Sequence, residues 1–186
     1  MLHVAFYRNL NLSRPNCPTR AQLEAAFLES GAARASSFLV NGTLVFECAP
    51  GRRPRAVAAG AGAAMRARCG LREPVFVRSI AMLAELVARR PFEGVVAEDP
   101  DTCCVTFLPA HKAALPASPF TTRRGDVEFL EFTEAEALSV ARLAGRRNIG
   151  SPNAVLERLL DAPATTRAWR TVERLVEKFA VEPINP

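Results

Sequence analysis

Between two β-prone runs, Ser36–Val40 and Thr43–Cys48, stands the dipeptide Asn41-Gly42. Asn and Gly both tolerate the positive φ angles of a type I′ turn, so the sequence predicts a tight antiparallel hairpin there. The flanking segments then fall into order around it. Residues 2–7 are short, apolar and β-prone, which reads as a buried strand. Thr19 has the chemistry of a helix N-cap, Leu23, Ala26, Phe27 and Ser30 share one helical face, and Gly31 supplies the stop. After the hairpin, residues 52–69 place Val57, Ala61, Ala64 and Met65 at helical spacing, and Pro74–Arg78 reads as a fourth strand. Gly60-Ala61-Gly62 is not a dinucleotide-binding loop, because the third glycine and a directly preceding strand are both missing. Residues 1–78 thus spell β-α-β-β-α-β, the ferredoxin-like plan.

The second half reads as a further α+β subdomain over residues 79–186. A helix over 79–90 carries Ile80, Leu83, Leu86 and Val87 and ends at Pro91. Thr102–Leu108, Val127–Phe132 and Ala137–Leu143 read as strands, and His111–Leu115 as a short helix. Pro152–Leu160 forms a helix, and Thr166 is expected to cap a last one carrying Trp169, Val172, Leu175, Val176 and Phe179. The expected fold is therefore α+β: a ferredoxin-like N-terminal subdomain packed on a second, smaller one in a single chain without a free linker.

Composition sets the outer limits. With 186 residues, 49% hydrophobic and 23% charged, the chain can bury a sizeable core, which excludes a disordered tail or a disulfide-dense miniprotein. Net charge is +5, and only two of the 24 basic residues are lysine. The joint abundance of Arg and Ala points to coding bias before it points to a ligand, although a basic balance is compatible with a polyanion. Five cysteines without a C-x-x-C pair are expected as buried thiols. With His3 and His111 as the sole histidines, no metal site or cofactor is expected. No apolar run reaches the roughly 20 residues that cross a bilayer, and the N-terminus lacks signal-peptide character, so a cytoplasmic location without a membrane partner is expected.

Three separated stretches carry a family resemblance: Phe6-Tyr7-Arg8-Asn9-Leu10-Asn11-Leu12-Ser13-Arg14, Phe38-Leu39-Val40-Asn41-Gly42-Thr43-Leu44-Val45-Phe46 and Thr165-Thr166-Arg167-Ala168-Trp169-Arg170-Thr171-Val172. In this order they resemble the motifs L-L-R-G-I-N-V-G-G, Y-I-Q-S-G-N-V-V-F and T-T-R-N-W-N-T-V of the bacterial domain of unknown function 1697 (DUF1697). Arg8 and Asn11 keep their places while three glycines are replaced, which makes this a divergent member. The resemblance implies an α+β fold with a ferredoxin-like N-terminal subdomain. It implies no activity.

Two segments are the leading binding candidates. The loop that leaves the first strand offers Arg8, Asn11, Arg14 and Asn16, whose guanidinium forks and amides suit a phosphate or carboxylate. The expected Thr166-capped helix start offers free N–H groups with Arg167 and Arg170 one turn apart. A third segment, Gly145–Ser151, is basic but lacks the lysine and spacing of a phosphate-binding loop. Catalytic signals are thin: Asp99 and Asp101 flank a proline, Glu134 and Glu136 sit in a turn, and His111 has no nucleophile elbow beside it. Phe6, Phe38, Phe46 and Phe76 on strands are expected to pack in the core rather than to stack RNA bases.

The leading functional expectation is non-enzymatic binding of an anionic small molecule or nucleic acid. An enzyme acting on a small phosphorylated or carboxylated substrate between the lobes is the alternative. A protein-interaction module pairing through sheet edges is the third.

Overall fold

The hairpin is present, and its strand partners build the sheet that organises the first half of the protein. In the computed structural model, residues 1–12, 14, 17–95, 102–110, 114–143 and 149–180 are described. The elements run β1 (Leu2–Tyr7), α1 (Arg20–Glu29), β2 (Ala32–Leu39), β3 (Thr43–Cys48), α2 (Pro54–Cys69) and β4 (Val75–Ser79). The sheet order is β2-β3-β1-β4 with every neighbouring pair antiparallel, which is the ferredoxin-like arrangement.

Local chemistry explains the helices. Thr19 and Gln22 form a reciprocal capping box at the start of α1: the Gln22 N–H donates to Thr19 Oγ1 at 3.2 Å, and the Thr19 N–H donates to Gln22 Oε1 at 2.8 Å. Pro54 opens α2 at the one position where a missing N–H costs nothing, and Gly70 closes it in the left-handed region. Strand register then sorts the side chains. Ala5, Tyr7, Leu44 and Phe46 join Leu23, Phe27, Val57, Ala61 and Met65 in one buried cluster. Phe27 is its hub, with ring centroids 5.0 Å from Phe46 and 6.4 Å from Tyr7. The other face of the sheet is also buried: Val4, Phe6 and Val45 are at 0% exposure and Phe76 at 6%. Phe6, Phe46 and Phe76 are therefore packed rather than open to stacked bases, as the core reading expects, while Phe38 is half-buried.

The hairpin turn itself differs from the expected type I′. Leu39 pairs with Thr43, so the loop has three residues, and Gly42 alone among them has a positive φ, 71°. A register shift between Ser37 and Leu39 supplies the extra residue. Asn41 keeps an ordinary φ and spends its side chain on the turn, Oδ1 accepting from Thr43 Oγ1 at 2.8 Å.

The second half continues with α3 (Ile80–Ala88), β5 (Cys103–Phe107), β6 (Phe120–Thr121), β7 (Val127–Phe132), β8 (Glu136–Ala141), α4 (Pro152–Leu160), β9 (Thr165–Ala168) and α5 (Trp169–Phe179). Its sheet order is β6-β7-β8-β5-β9, again antiparallel. The chain divides into a unit of Met1–Glu85 with the end of α5 from Lys178, and a unit of Leu86–Glu177. Two five-stranded-sheet elements depart from the sequence reading. The two-residue β6 was not expected. Thr165–Ala168 is a strand and not a helix cap, because the β-branched threonines find a partner in β5, where Thr106 Oγ1 lies 2.8 Å from Thr166 Oγ1. The helix begins one residue later, at Trp169. Ala114 and Leu115 are not helical, and the rest of the expected short helix lies outside the described residues. All five cysteines are free, Cys103 and Cys104 being buried on β5.

Two glycines give opposite predictions. A Cβ at Gly42 would stand 2.7 Å from Leu10 Cβ in a left-handed conformation, whereas a Cβ at Gly62, inside α2, meets nothing within 4 Å. Gly42→Ala should lower stability by about 1–3 kcal/mol, and Gly62→Ala should raise it by about 0.5–1 kcal/mol through helix propensity; urea unfolding of the two variants checks both signs. The single tyrosine gives a third outcome. Burial raises the Tyr7 phenol above its ordinary 10.0. The unfolded chain then loses this proton first, so stability is intact below pH 10.0 and falls as pH rises beyond it. Tyrosinate absorbance should accordingly stay flat through that value in folded protein and appear only with unfolding.

Candidate functional site

The first sequence candidate is a structural stitch over its described part. Arg8 Nη1 donates to Glu73 at 3.0 Å, and the Arg8 N–H donates to the Pro74 carbonyl at 3.0 Å, which fastens the end of β1 to the start of β4. Asn9 takes a positive φ of 50°, delivering Leu10 into contact with the Gly42 backbone, and the Leu12 N–H reaches the Val40 carbonyl at 2.7 Å. The Arg14 N–H closes a turn on the Asn11 carbonyl at 3.1 Å, leaving Arg14 exposed. Asn16 lies outside the described residues, as do Ser13 and Pro15.

The second candidate is not brought together. Arg167 points inward from β9, its Nη1 donating to Thr165 Oγ1 at 2.9 Å and to the Thr166 carbonyl at 2.9 Å. Burial pushes its guanidinium down to about 10, which still leaves it cationic at neutral pH. Arg170 is exposed on the first turn of α5. The expected spacing of one helical turn between them fails because Arg167 belongs to a strand. The two therefore cannot present one fork to an anion at a helix start. Arg8 and Arg167 also belong to different units.

Other candidates resolve briefly. Residues 145–148, His111, Asp99 and Asp101 lie outside the described residues. Glu136 is buried and takes a hydrogen bond from Thr133 Oγ1 at 3.1 Å within the β7–β8 turn, a structural duty. Phe38 packs on Phe179 with centroids 6.0 Å apart, and Phe46 on Phe27.

The site that the sequence reading missed is a cavity of about 390 Å³ in the ferredoxin-like unit. Three elements converge on it: His3 from β1, Arg53, Pro54 and Arg55 from the start of α2, and Val77–Ser79 from β4. The His3–Ser79 pairing of β1 with β4 forms its strand side. Arg78 borders it as well, but pairs with Val4 on the opposite sheet face, and its Nη1 donates to the Val77 carbonyl at 2.9 Å. The cations on offer are thus Arg53 and Arg55, which are exposed and form no ion pair among the described residues. Arg53 is the N-cap residue of α2 and gives it no side-chain cap, so the first-turn N–H groups of this 16-residue helix add their positive end. Among the described residues, no carboxylate lines the cavity.

His3 completes the wall. Its ring lies 5.7 Å from that of Phe46, and Nδ1 is buried without a hydrogen bond among the described residues. Burial lowers its pKa, the N-terminal ammonium lowers it further, and the Met1 backbone opposes both, so His3 is neutral at pH 7. Ser79 Oγ accepts from the Met82 N–H at 3.1 Å and keeps its own hydrogen to donate. Such a set can bind and orient an anion. It contains no nucleophile paired with a base.

A family model described as protein of unknown function (DUF1697) matches residues 1–137. That span contains the cavity and two of the three motif stretches, but not Thr165–Val172. No curated protein and no solved structure matches the chain. Among the described residues, no helix is long and apolar enough to cross a membrane.

The stitch role of Arg8 has a direct consequence. The Arg8–Glu73 pair is about a quarter exposed on each side, so its coupling should be worth no more than about 1 kcal/mol, and Arg8→Ala should cost less in a Glu73→Ala background than in the native protein. A double-mutant cycle in urea reads this coupling.

Proposed function

The chain belongs to the DUF1697 family of proteins of unknown function, and from that premise we propose that it is a non-enzymatic binding module for a small anionic ligand, seated in the cavity at the start of α2. The observation that carries this reading is the joint presentation of Arg53, Arg55 and an uncapped helix N-terminus to one cavity that no carboxylate among the described residues lines. Each element alone is modest, on the order of 0.3–1 kcal/mol for a charge at a helix end. Acting on one anion in a partly enclosed space, they favour a phosphorylated or carboxylated metabolite. A cavity of about 390 Å³ holds a small molecule. A nucleic-acid backbone would instead call for a track of many cations. The loop carrying Arg8, Asn11 and Arg14 is a weaker seat for the same ligand, since Arg8 already holds Glu73.

Edge-to-edge pairing draws less support than anion binding. On the β2 edge, the Ser37 N–H donates to Glu24 Oε1 at 2.7 Å, and its carbonyl accepts from Arg20 Nη1 at 2.9 Å. Side chains from α1 therefore occupy groups that a partner strand would need.

Sulfate is the probe for the anion reading because its charge is constant across the relevant pH range. At ten times its dissociation constant it should stabilise the fold by about 1.4 kcal/mol, seen as a rise in Tm. Arg53→Ala with Arg55→Ala should abolish the rise, while Arg8→Ala should leave it intact. The His3 pKa lies below 6.5, so its contribution to folding is present above that value and is lost as pH falls through the lowered pKa. A bound anion favours the protonated ring, so sulfate should bind more tightly as pH drops, and His3→Gln should remove that trend. Absence of stabilisation, or stabilisation indifferent to both arginines, contradicts the reading.

A further inference from the structure

A second cavity, also of about 390 Å³, has a different chemistry, and its described lining residues all belong to the unit Leu86–Glu177. Val87, Arg90, Phe92, Glu93, Trp169 and Glu173 line it. The Phe92 and Trp169 rings have centroids 5.1 Å apart and planes inclined by 58°, so they form two walls of a corner rather than a flat stack. Aromatic faces attract cations, Trp most strongly.

The charges in this cavity divide unevenly. Arg90 and Glu93 satisfy each other at 3.0 Å. Glu173, four residues beyond Trp169 and so one turn along the same face of α5, forms no hydrogen bond or ion pair among the described residues. The cavity therefore carries one uncompensated carboxylate beside an aromatic corner. Its wall is also held in a costly backbone shape: Arg90 adopts φ 50°, its N–H bonds the Val87 carbonyl at 3.0 Å, and the Glu93 N–H bonds the Arg90 carbonyl at 2.9 Å. A non-glycine residue in the left-handed region is strained and persists where the surroundings enforce it. Here it sets the turn that brings Phe92 against Trp169.

We propose that this cavity is a binding site for a small organic cation, an alkylammonium or guanidinium group, held against the Phe92–Trp169 corner with Glu173 as its counter-charge. The site is independent of the anion reading and shares no residue with it.

Trp169 is the single tryptophan, so its fluorescence reports on the site directly. Titration with tetramethylammonium should give a saturable change, and tert-butanol, an uncharged molecule of similar size, should not. Glu173→Gln lies on the exposed side of α5 and keeps the fold; it should weaken binding about tenfold, matching the loss of a partly shielded charge contact of about 1.4 kcal/mol. Phe92→Leu should weaken it as well, with tert-butanol still inert. A response that does not saturate, an equal response to tert-butanol, or unchanged affinity in Glu173→Gln overturns the proposal.

Discussion

The ferredoxin-like unit depends on β1 being paired on both edges and buried on both faces. Val4, Ala5, Phe6 and Tyr7 are all at 0% exposure, with β3 on one side and β4 on the other. Backbone polar groups in such a place have no water to turn to, so the two ladders are obligatory. Strand alternation sends Ala5 and Tyr7 toward the helices and Val4 and Phe6 to the opposite face. A slip of one residue would exchange the two sets and break both cores. Register is thus fixed by burial, and Gly42 secures it at one end, where its carbonyl accepts from the Tyr7 N–H at 2.9 Å. The ends of the same strand deliver His3 to the cavity and Arg8 to its ion pair. Fold and candidate site are consequences of one constraint.

Much of this was legible in the residues. Thr19 with Gln22, Pro54 and the apolar spacings place the first two helices, and the β-α-β-β-α-β order survives intact. The misreadings share a cause, which is that partners distant in sequence decide between local options. Asn41-Gly42 suits a two-residue turn, but the bulge between Ser37 and Leu39 lengthens the loop and leaves Asn41 to hydrogen-bond through its side chain. Thr165-Thr166 suits a helix cap, yet β5 offers a ladder that two β-branched residues fit better. The cavity escaped notice because His3, Arg53, Arg55 and Ser79 are scattered over most of the first unit. A local signal existed in Arg52-Arg53-Pro54-Arg55: a helix start marked by proline, with arginines where Ser, Thr, Asp or Asn would ordinarily cap.

The arginine excess also looks different once partners are known. Arg8, Arg34, Arg68, Arg89, Arg90 and Arg142 are each matched to a glutamate. Exposed pairs of this kind contribute little to stability, about 0–1 kcal/mol, but they remove positive charge from the set available to a ligand. Arg53 and Arg55 lie outside that network and beside a helix end of the same sign. Net charge therefore says less about binding than where the unmatched cations sit. The same reasoning singles out Glu173 in the second unit, a carboxylate with no ion pair among the described residues in a cavity walled by aromatic rings.

The central claim is one of location, that an anion settles at the start of α2 and not on the loop after β1. Backbone amide shifts followed by NMR during a sulfate titration test it most directly. The account predicts saturable shifts that cluster at His3, Arg55–Val57 and Ser79 while Arg8–Leu12 stay still. Shifts centred on Arg8–Leu12, or none anywhere, would contradict it.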